Sequence, residues 1–381
     1  MELSVIILNY NVCYFLEQCV WSVQKALQHI DGEIIVVDNN SSDASCQMIQ
    51  EQFPTVKLIQ NKENLGFSKG NNIGVAAAKG KLICILNPDT VVAEDTFQIM
   101  LSEYKSRACE VGIMGCKLID GTGHFLPESK RGVPTPWVAF TKIFGLYKWF
   151  KHSRLFNAYY AQHITENQSG AVEILVGAFM MLERKLYLKI GGFDENCFMY
   201  SDDIDLSYMV LKTGKINYYI HKTSIIHYKG ESTIRNKHYM KRFKDAMVFF
   251  YQKHFKSNKS KFSLFVIFMH IGTFYFSLIK KNQVPTKKKN PEEYVIFSNK
   301  NLNLKRGKKI TYLTNFNQFT NNPNSRIEIF FDTQCFTFKE IINFMELQKA
   351  SNITFKNYIG QSNYFIGSNY SNDKGEVLFE N

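Results

Sequence analysis

The sequence lacks the cysteine patterns that mark zinc sites and disulfide frameworks. Its eight cysteines form no CxxC pair and follow no regular spacing, and several, such as Cys84, lie inside apolar runs. Zinc sites and disulfide scaffolds use paired or regularly spaced cysteines. We therefore expect reduced, buried thiols, and neither a zinc site nor a disulfide framework.

The sequence also lacks the features of a secretory leader. Residues 1–4 (MELS) lead directly into the apolar run VIIL, without a basic segment or a cleavage pattern. A signal peptide would carry both. We therefore expect the start of the chain to stay in the cytosol.

The net charge of +12 is concentrated in one segment of the chain. Residues 237–309 hold eighteen Lys and Arg against three acidic residues, and the remainder of the chain carries a net charge of −3. Such a segment could bind nucleic acid or an anionic membrane surface. Its aromatic residues are collected in one apolar run, whereas base stacking requires aromatics between the basic residues. We therefore predict an anionic membrane surface as a partner, and no nucleic acid.

Residues 262–279 form an uncharged stretch of 18 residues inside the basic segment. This length is the lower limit for a helix that spans a bilayer. Both flanks are basic, whereas a spanning helix places its basic excess on one side. Ser263, His270 and Ser277 recur every seven residues and give a narrow polar stripe. The pattern favours a helix lying in the membrane interface, with a spanning helix and a buried core helix as alternatives.

Strands and helices alternate through residues 1–90. Short apolar runs end in polar residues, and the segments between them have helical spacing or an Ala-rich composition. This alternation is typical of a parallel α/β sheet, in which ligands bind beyond the carboxyl ends of the strands. We therefore predict that Asn9, Asp38 and Asp89 lie together at that edge. The apolar runs are LSVIILNYN, GEIIVVDNN, VKLIQN and KLICILNPD.

The acidic residues at strand ends and helix starts have two interpretations. Asp38 and Asp89 could be turn formers, and the acids of Asp202–Asp205 could stabilise the start of the helix that follows. His227 could be a core histidine. Carboxylates buried close together are costly without a cation or a proton, however, so the second interpretation is a metal-dependent catalytic site.

Six motifs occur in an order that resembles the family 2 glycosyltransferases of GT-A fold. Within that family, the branch that the sequence resembles is the rhamnosyltransferase-like group of bacterial polysaccharide assembly, and the resemblance covers about residues 2–250. It implies an α/β fold with a mainly parallel sheet. The motifs are VIILNYN, IIVVDNNSSD, NKENLGFSKGNNIG, LNPDT, GGFDENCFMYSDDIDL and HYKGEST.

The resemblance, together with the charge and composition of the later segments, predicts a three-part chain. Residues 1–250 would be the GT-A catalytic domain, and residues 251–294 the basic, apolar helical segment that associates with the membrane. Residues 295–381, in which strand patterns surround one helical pattern, would be a small α/β module of unknown role. That module faintly resembles a nucleotide-binding unit but lacks the Gly-rich turn that binds pyrophosphate.

The resemblance also implies a nucleotide site. Asp38 matches the family's acid that accepts a hydrogen bond from the pyrimidine N3–H group, which indicates a UDP- or dTDP-sugar donor. Gly66 and Gly70 would allow close backbone approach to the nucleotide. The other implied nucleotide-binding residues are Asn9, Asn64, Asn71 and Asn87.

A divalent metal site is implied next to the nucleotide. NPDT stands where most family members carry Asp-x-Asp, so that Asp89 matches the metal-binding Asp and Asn87 replaces the first Asp. His227 matches the family's downstream histidine. An ion bridging a carboxylate and a diphosphate needs few protein ligands, and these suit Mn²⁺ as well as Mg²⁺.

The acidic motif SDDIDL is implied to supply the catalytic groups. Asp203 would be the general base for in-line, inverting attack by an acceptor hydroxyl. The charge of Asp202 would increase the proton affinity of that base and help to orient the acceptor. Asp205 would be a structural acid at the helix start, and Lys229 and Arg235 could place positive charge near the diphosphate.

The implied function is a metal-dependent, inverting glycosyltransferase in cell-surface polysaccharide synthesis. The interfacial helix indicates a lipid-linked glycan acceptor and a peripheral location on the inner face of the cytoplasmic membrane. A processive synthase would carry a downstream Gln-x-x-Arg-Trp motif, which is missing. The alternative from another class is a catalytically weak or non-catalytic nucleotide-sugar-binding subunit.

Overall fold

The computed structural model describes most of the chain outside the basic segment. The predicted interfacial helix, residues 262–279, and Arg235 lie outside the described residues. Among the helices that are described, none is long and apolar enough to cross a membrane. The described residues are 1–135, 137–138, 141, 158–197, 201–229, 245, 248–255, 290–302, 309–370 and 375–380.

The first sheet has a mainly parallel, α/β organisation, as the sequence predicts. Its strands lie in the order β3-β2-β1-β4-β10-β6-β11-β5, with β8 paired to β11. The strands β3, β2, β1 and β4 run parallel to one another, and β10 enters antiparallel between β4 and β6. The strands, together with the separate β7–β9 pair, are β1 Leu3–Asn9, β2 Gly32–Asp38, β3 Lys57–Gln60, β4 Leu82–Leu86, β5 Thr90–Val91, β6 Val111–Ile119, β7 Lys130–Arg131, β8 Gly170–Val172, β9 Ile174–Leu175, β10 Phe179–Glu183 and β11 Ile216–His227.

Helices cover both faces of this sheet because its central strands are apolar on both sides. In β1, alternate residues enter two different core clusters, with Val5 and Ile7 in one and Ile6 in the other. The helices are α1 Cys13–Ala26, α2 Ser45–Gln52, α3 Gly66–Ala77, α4 Thr96–Arg107, α5 Arg184–Lys189 and α6 Asp202–Lys212, with short 3₁₀ turns at Pro127–Ser129, Ala158–Tyr160 and Phe316–Gln318.

The irregular part of the sequence contains a central strand that the apolar pattern does not predict. All nine residues of β6 are buried, and the strand lies between β10 and β11. Its two glycines obscure the strand pattern in the sequence. They are required by packing, because a Cβ atom at Gly112 would lie 2.0 Å from Val210 and one at Gly115 would lie 2.7 Å from Leu175.

A second sheet of six strands forms the core of the C-terminal part of the chain. Its order is β13-β12-β14-β15-β16-β17, parallel from β13 to β15 and antiparallel beyond. We call residues 290–302, 309–370 and 375–380 the C-terminal module. Its first strand begins two residues before the predicted boundary at 295, and the division into three parts stays a prediction. Its elements are β12 Glu293–Phe297, β13 Lys309–Leu313, β14 Ile327–Asp332, α7 Phe338–Gln348, β15 Ile353–Ile359, β16 Tyr364–Gly367 and β17 Glu376–Phe379.

The two sheets share one hydrophobic core. Val91 and Ile226 of the first sheet belong to the same buried cluster as Phe297, Ile329 and Phe331 of the C-terminal module. Polar contacts reinforce it: Lys117 of β6 forms an ion pair with Glu346 of α7 at 2.6 Å. The C-terminal module is therefore packed directly against the strands that carry the candidate site.

Candidate active site at the carboxyl edge of the first sheet

The predicted polar residues at the strand ends meet at one edge of the sheet. Asn9 and Asp38 end β1 and β2 and lie opposite each other in the parallel register. Ile7 lies opposite Leu86, so Asn87 follows β4 at the same edge. The register therefore brings Asn9, Asp38 and Asn87 to one edge, and Asp89 follows Asn87 by two residues.

Asp38 holds a loop together as well as lying where the nucleotide site is predicted. Its Oδ1 atom accepts hydrogen bonds from Asn9 Nδ2 at 2.8 Å and from Ser41 Oγ at 2.6 Å, and its Oδ2 atom accepts one from Ser41 N at 2.8 Å. A carboxylate has about four acceptor positions, and the Cys46 thiol also hydrogen-bonds to this one. Asn9 Oδ1 is buried and has no hydrogen-bond partner among the described residues.

A second asparagine, which the motif comparison does not single out, ties two of the predicted loops together. The Asn39 Nδ2 group donates to Asn64 Oδ1 at 3.3 Å and to the Gly66 carbonyl at 3.0 Å, and its Oδ1 accepts from Asn61 Nδ2 at 2.8 Å. Asn64 Oδ1 also accepts from Gly66 N at 3.0 Å. The DNN and ENLG segments therefore form one hydrogen-bonded unit, with Asn64 and Gly66 both inside it.

The two glycines at the start of α3 are required for different structural reasons. Gly66 has φ of +79°, a conformation that favours glycine. At Gly70, a Cβ atom would lie 2.4 Å from Leu8 Cδ1, so this glycine lets α3 pack closely on β1. Asn71 is buried, with its Nδ2 group donating to the Phe67 carbonyl at 3.0 Å and its Oδ1 atom without a partner among the described residues. The predicted role of Gly70 in nucleotide approach has no separate support.

Asp89, His227 and Asn87 converge on one point. His227 Nε2 lies 3.4 Å from Asp89 Oδ1 and 3.4 Å from Asn87 Nδ2, and the Nδ1 atom of His227 is buried without a partner in the described part of the chain. Cis ligands of an octahedral ion with bonds of about 2.1 Å lie roughly 3 Å apart. The pair Asp89 and His227 therefore fits a divalent ion. Among the described residues, no group of three or more His, Cys, Asp or Glu side chains could hold a metal ion.

The predicted base, Asp203, lies in a buried ion pair that sequence reasoning missed. Its Oδ2 atom is 2.5 Å from Arg131 Nη2 and accepts a hydrogen bond from Gly177 N at 3.0 Å. Arg131 is held on β7, which pairs with β9, and the adjacent Lys130 donates to three backbone carbonyls of residues 160–164. Arg131, held on β7, therefore keeps one oxygen of Asp203 in place.

The neighbouring carboxylate, Asp202, has a raised pKa at the start of α6. Burial, and after it the negative charge of Asp203, raise the pKa of Asp202 to about 7. The sequence analysis expected this repulsion to act on the predicted base. Asp202 is a group that titrates near neutrality, and the effect predicted for Asp203 stays a prediction.

Asp205, which is predicted to be a structural acid, binds a later segment of the chain. It is fully buried, and its oxygens contact His254 Nε2 at 2.5 Å and Lys253 Nζ at 2.8 Å. Lys253 Nζ also reaches Asp194 at 2.7 Å. The helical residues 248–255 are thereby fastened to the start of α6.

One peptide segment connects the acidic motif to the metal-site residues. Gly177 N donates to Asp203, and the next residue, Ala178, accepts a hydrogen bond through its carbonyl from Asn87 N at 3.1 Å. A Cβ atom at Gly177 would lie 3.3 Å from the Cβ of Asp203 and 3.5 Å from Phe67 Cζ. Gly177 and its neighbour therefore lie between the predicted catalytic, metal-binding and nucleotide-binding segments. Nothing in the motif pattern indicates it.

Lys229 is part of the same edge but has an acidic partner. It forms an ion pair with Glu128 and has a positive φ of 58°. Its predicted role beside a diphosphate stays a prediction, as do the roles of the other candidate residues.

Comparisons with known proteins agree with this architecture. Residues 4–191 match the family described as Glycosyl transferase family 2. The chain is 24% identical over 266 residues to N-acetylglucosaminyl-diphospho-decaprenol L-rhamnosyltransferase of Mycobacterium tuberculosis, covering 66% of this chain and 85% of that protein. It is 24% identical over 293 residues to the minor teichoic acid biosynthesis protein GgaB of Bacillus subtilis, covering 74% of this chain and 30% of that protein.

A solved structure is similar in fold. The mannosyltransferase PcManGT from Pyrobaculum calidifontis, in complex with GDP-Man and Mn²⁺, superposes with a TM-score of 0.50 at 16% identity. The similarity covers 74% of this chain and 76% of that one. At this identity the likeness concerns the fold alone.

Proposed function

We propose that the chain, whose residues 4–191 match the model of Glycosyl transferase family 2, is an inverting transferase that uses a pyrimidine nucleotide-diphosphate sugar. The observation that carries this proposal is the Gly177–Ala178 segment, which bonds to both Asp203 and Asn87. Through two adjacent residues it connects the carboxylate of Asp203 to the segment that carries Asn87 and Asp89, which supports roles for both in one reaction. Inverting transfer needs these two features side by side, one for the acceptor hydroxyl and one for the leaving diphosphate.

In the proposed reaction, Asp203 removes the proton from the acceptor hydroxyl as that oxygen attacks the anomeric carbon. The bond to the diphosphate breaks on the opposite face, and the nucleotide diphosphate leaves. Arg131 and Gly177 N hold Oδ2 of Asp203, so Oδ1 is the oxygen that receives the proton. A divalent ion between Asp89, His227 and the diphosphate would neutralise the charge that develops on the leaving group.

A pyrimidine donor is supported by the end of β1 and β2. Asp38 is an acceptor at the end of β2, and beside it Asn9 Oδ1 is a buried acceptor without a hydrogen-bond partner among the described residues. The N3–H group of uracil or thymine is a donor that these atoms can satisfy. We therefore propose a UDP- or dTDP-sugar.

A lipid-linked glycan is the proposed acceptor, and cell-surface polysaccharide synthesis the proposed process. The similar mycobacterial protein is named for a diphospho-decaprenol acceptor, and residues 237–309 carry the basic surplus that would hold the enzyme on an anionic inner leaflet. The alternative, a non-catalytic nucleotide-sugar-binding subunit, is disfavoured because Asp89, Asp203 and His227 are all present and clustered.

The proposal is tested by measuring release of nucleotide diphosphate from a panel of UDP-, dTDP- and GDP-sugars, with and without chelator. We expect turnover with one pyrimidine donor, lost in chelator and restored by Mn²⁺ or Mg²⁺. Turnover with GDP-sugars alone would contradict the donor class, and tight donor binding without turnover, with every acceptor glycan supplied, would favour the non-catalytic alternative. Binding to anionic vesicles that disappears when Lys287, Lys288 and Lys289 are changed to Gln would support the membrane location, and unchanged binding would contradict it.

A further inference from the structure

The two candidate metal ligands are carried by a short pair of strands. Asp89 directly precedes β5 and His227 ends β11, and these strands pair with Thr90 opposite His227. Tyr228 N extends the ladder by donating to the Asp89 carbonyl at 3.0 Å. A two-residue strand at the edge of a sheet is marginally stable by itself. Something else must therefore hold Asp89 and His227 in register.

The C-terminal module holds the far end of β5. The carboxylate of Glu94, three residues after β5, accepts hydrogen bonds from the backbone N–H groups of Phe338 and Lys339 at 2.9 Å each. These are the first two N–H groups of α7, which have no partner within the helix. Thr337 caps the third, that of Glu340. The negative charge of Glu94 also lies at the positive end of the helix dipole.

The C-terminal module holds the end of β11 as well. Asn357 of β15 donates to the hydroxyl group of Tyr228 at 3.3 Å, and both residues are buried. The ring of Tyr228 also packs edge-on against Phe15 of α1, with 5.1 Å between ring centroids. The residue after His227 is therefore fixed from two sides, one of which belongs to the module.

Apolar packing joins these two polar contacts. Val91 of β5 and Ile226 of β11 lie opposite each other. Both side chains are fully buried in the cluster that includes Phe331 of β14 and Ile342 of α7. The C-terminal module therefore covers the side chains of Val91 and Ile226, which lie close to Asp89 and His227 in the strand pair.

We propose that the C-terminal module is a positioning element of the transferase, which clamps β5 and β11 through Glu94 and Asn357 and so sets the separation of Asp89 and His227. The link to metal and donor binding rests on the proposed function, whereas the clamping of the strand pair does not. The module thereby acts on the site through the catalytic domain and contacts neither the donor nor the ion.

Hydrogen–deuterium exchange of the full-length chain tests the clamp. The variants are Glu94→Ala and Asn357→Leu, and the readout is exchange in peptides covering residues 88–93 and 223–229. Loss of a helix cap or of one buried hydrogen bond should speed exchange there about fivefold. The matched control is Ser362→Ala, which removes the partly buried hydrogen bond from the module to Glu17 of α1 and touches neither strand. It should leave these peptides unchanged.

A second measurement separates the clamp from the proposed chemistry. Binding of Mn²⁺ in the presence of UDP, followed by electron paramagnetic resonance, should weaken by a similar factor in both variants and stay unchanged in Ser362→Ala. Unchanged exchange in both variants, or equal acceleration by the control, would overturn the clamp. Accelerated exchange in a protein that binds no Mn²⁺ would support the clamp and contradict the metal part of the proposed function.

Discussion

The guanidinium of Arg131 and the carboxylate of Asp203 form an ion pair of 2.5 Å, and both side chains are close to fully buried. Since Gly177 N binds the same carboxylate oxygen, Oδ2, this oxygen is fully engaged. The remaining oxygen, Oδ1, has no hydrogen-bond partner in the described part of the chain. The pair therefore sets the orientation of the candidate base without using the oxygen that would accept a proton.

Changing Asp203 to Asn should separate binding from chemistry. The amide has nearly the same shape but cannot accept the acceptor's proton, so we expect transfer to fall at least ~10²-fold. Donor affinity should stay within a few-fold of the wild type in a titration with UDP-sugar. Near-normal turnover would exclude Asp203 as the base.

Removing Arg131 should destabilise the protein more than removing the whole pair. Arg131→Met leaves the Asp203 carboxylate buried and unpaired, which should lower the free energy of unfolding by about 3 kcal/mol. The double variant Arg131→Met, Asp203→Asn has no unpaired charge, so it should regain most of that stability while transfer stays lost. Denaturant unfolding and transfer assays on both variants measure the two effects. A double variant no more stable than Arg131→Met would contradict a direct pair.

The raised pKa of Asp202 predicts a pH-dependent cost in stability. Burial raises this pKa from 3.8 to about 7, so between about pH 4 and pH 7 the unfolded chain releases a proton that the folded protein keeps. Stability must therefore fall as the pH rises through this window, and the loss persists above pH 7. Asp202→Asn removes the effect, so its melting temperature relative to the wild type should increase from pH 4.5 to pH 7.5. The control Glu51→Gln, at an exposed position of α2, should show a constant difference. A constant difference for Asp202→Asn as well would show that Asp202 is ionised normally.

The parallel sheet and its polar edge could be predicted because they depend on local patterns. The runs that become β1, β2 and β4 are continuous apolar stretches, and Asn9 and Asp38 follow from where these stretches end. Arg131 could not be predicted, because its partner is 72 residues away and its own strand has two residues. Gly177 is equally hidden, since its importance comes from three segments that only the fold brings together.

The metal-site residues should act as a unit. Asp89→Ala and His227→Ala should each weaken Mn²⁺ binding in the presence of UDP, because each removes one of the two proposed protein ligands. The matched control is Asn87→Ala, which removes a neighbour of His227 that has no carboxylate or imidazole, and whose effect on Mn²⁺ affinity should be smaller. Calorimetric titration of Mn²⁺ gives all three affinities. Full transfer in excess chelator would exclude a metal role for Asp89 and His227 together.

Asp38 has two candidate roles, in forming a loop and in binding the nucleobase, and one substitution can separate them. As a loop former it accepts from Ser41 N through Oδ2 and from Asn9 and Ser41 through Oδ1. In Asp38→Asn, one of these acceptors becomes an NH₂ group facing a donor, so the free energy of unfolding should fall by about 1–3 kcal/mol. If the carboxylate also binds the nucleobase, the preference for UDP over GDP in a competition assay should shrink in the same variant. The control Ser41→Ala loosens the loop but leaves the carboxylate, so it should lower stability with little change in preference. Equal changes in preference for Asp38→Asn and Ser41→Ala would assign Asp38 to the loop alone. The choice of base would then depend on Asn9. The Oδ1 atom of Asn9 lies buried beside Asp38, without a hydrogen-bond partner among the described residues.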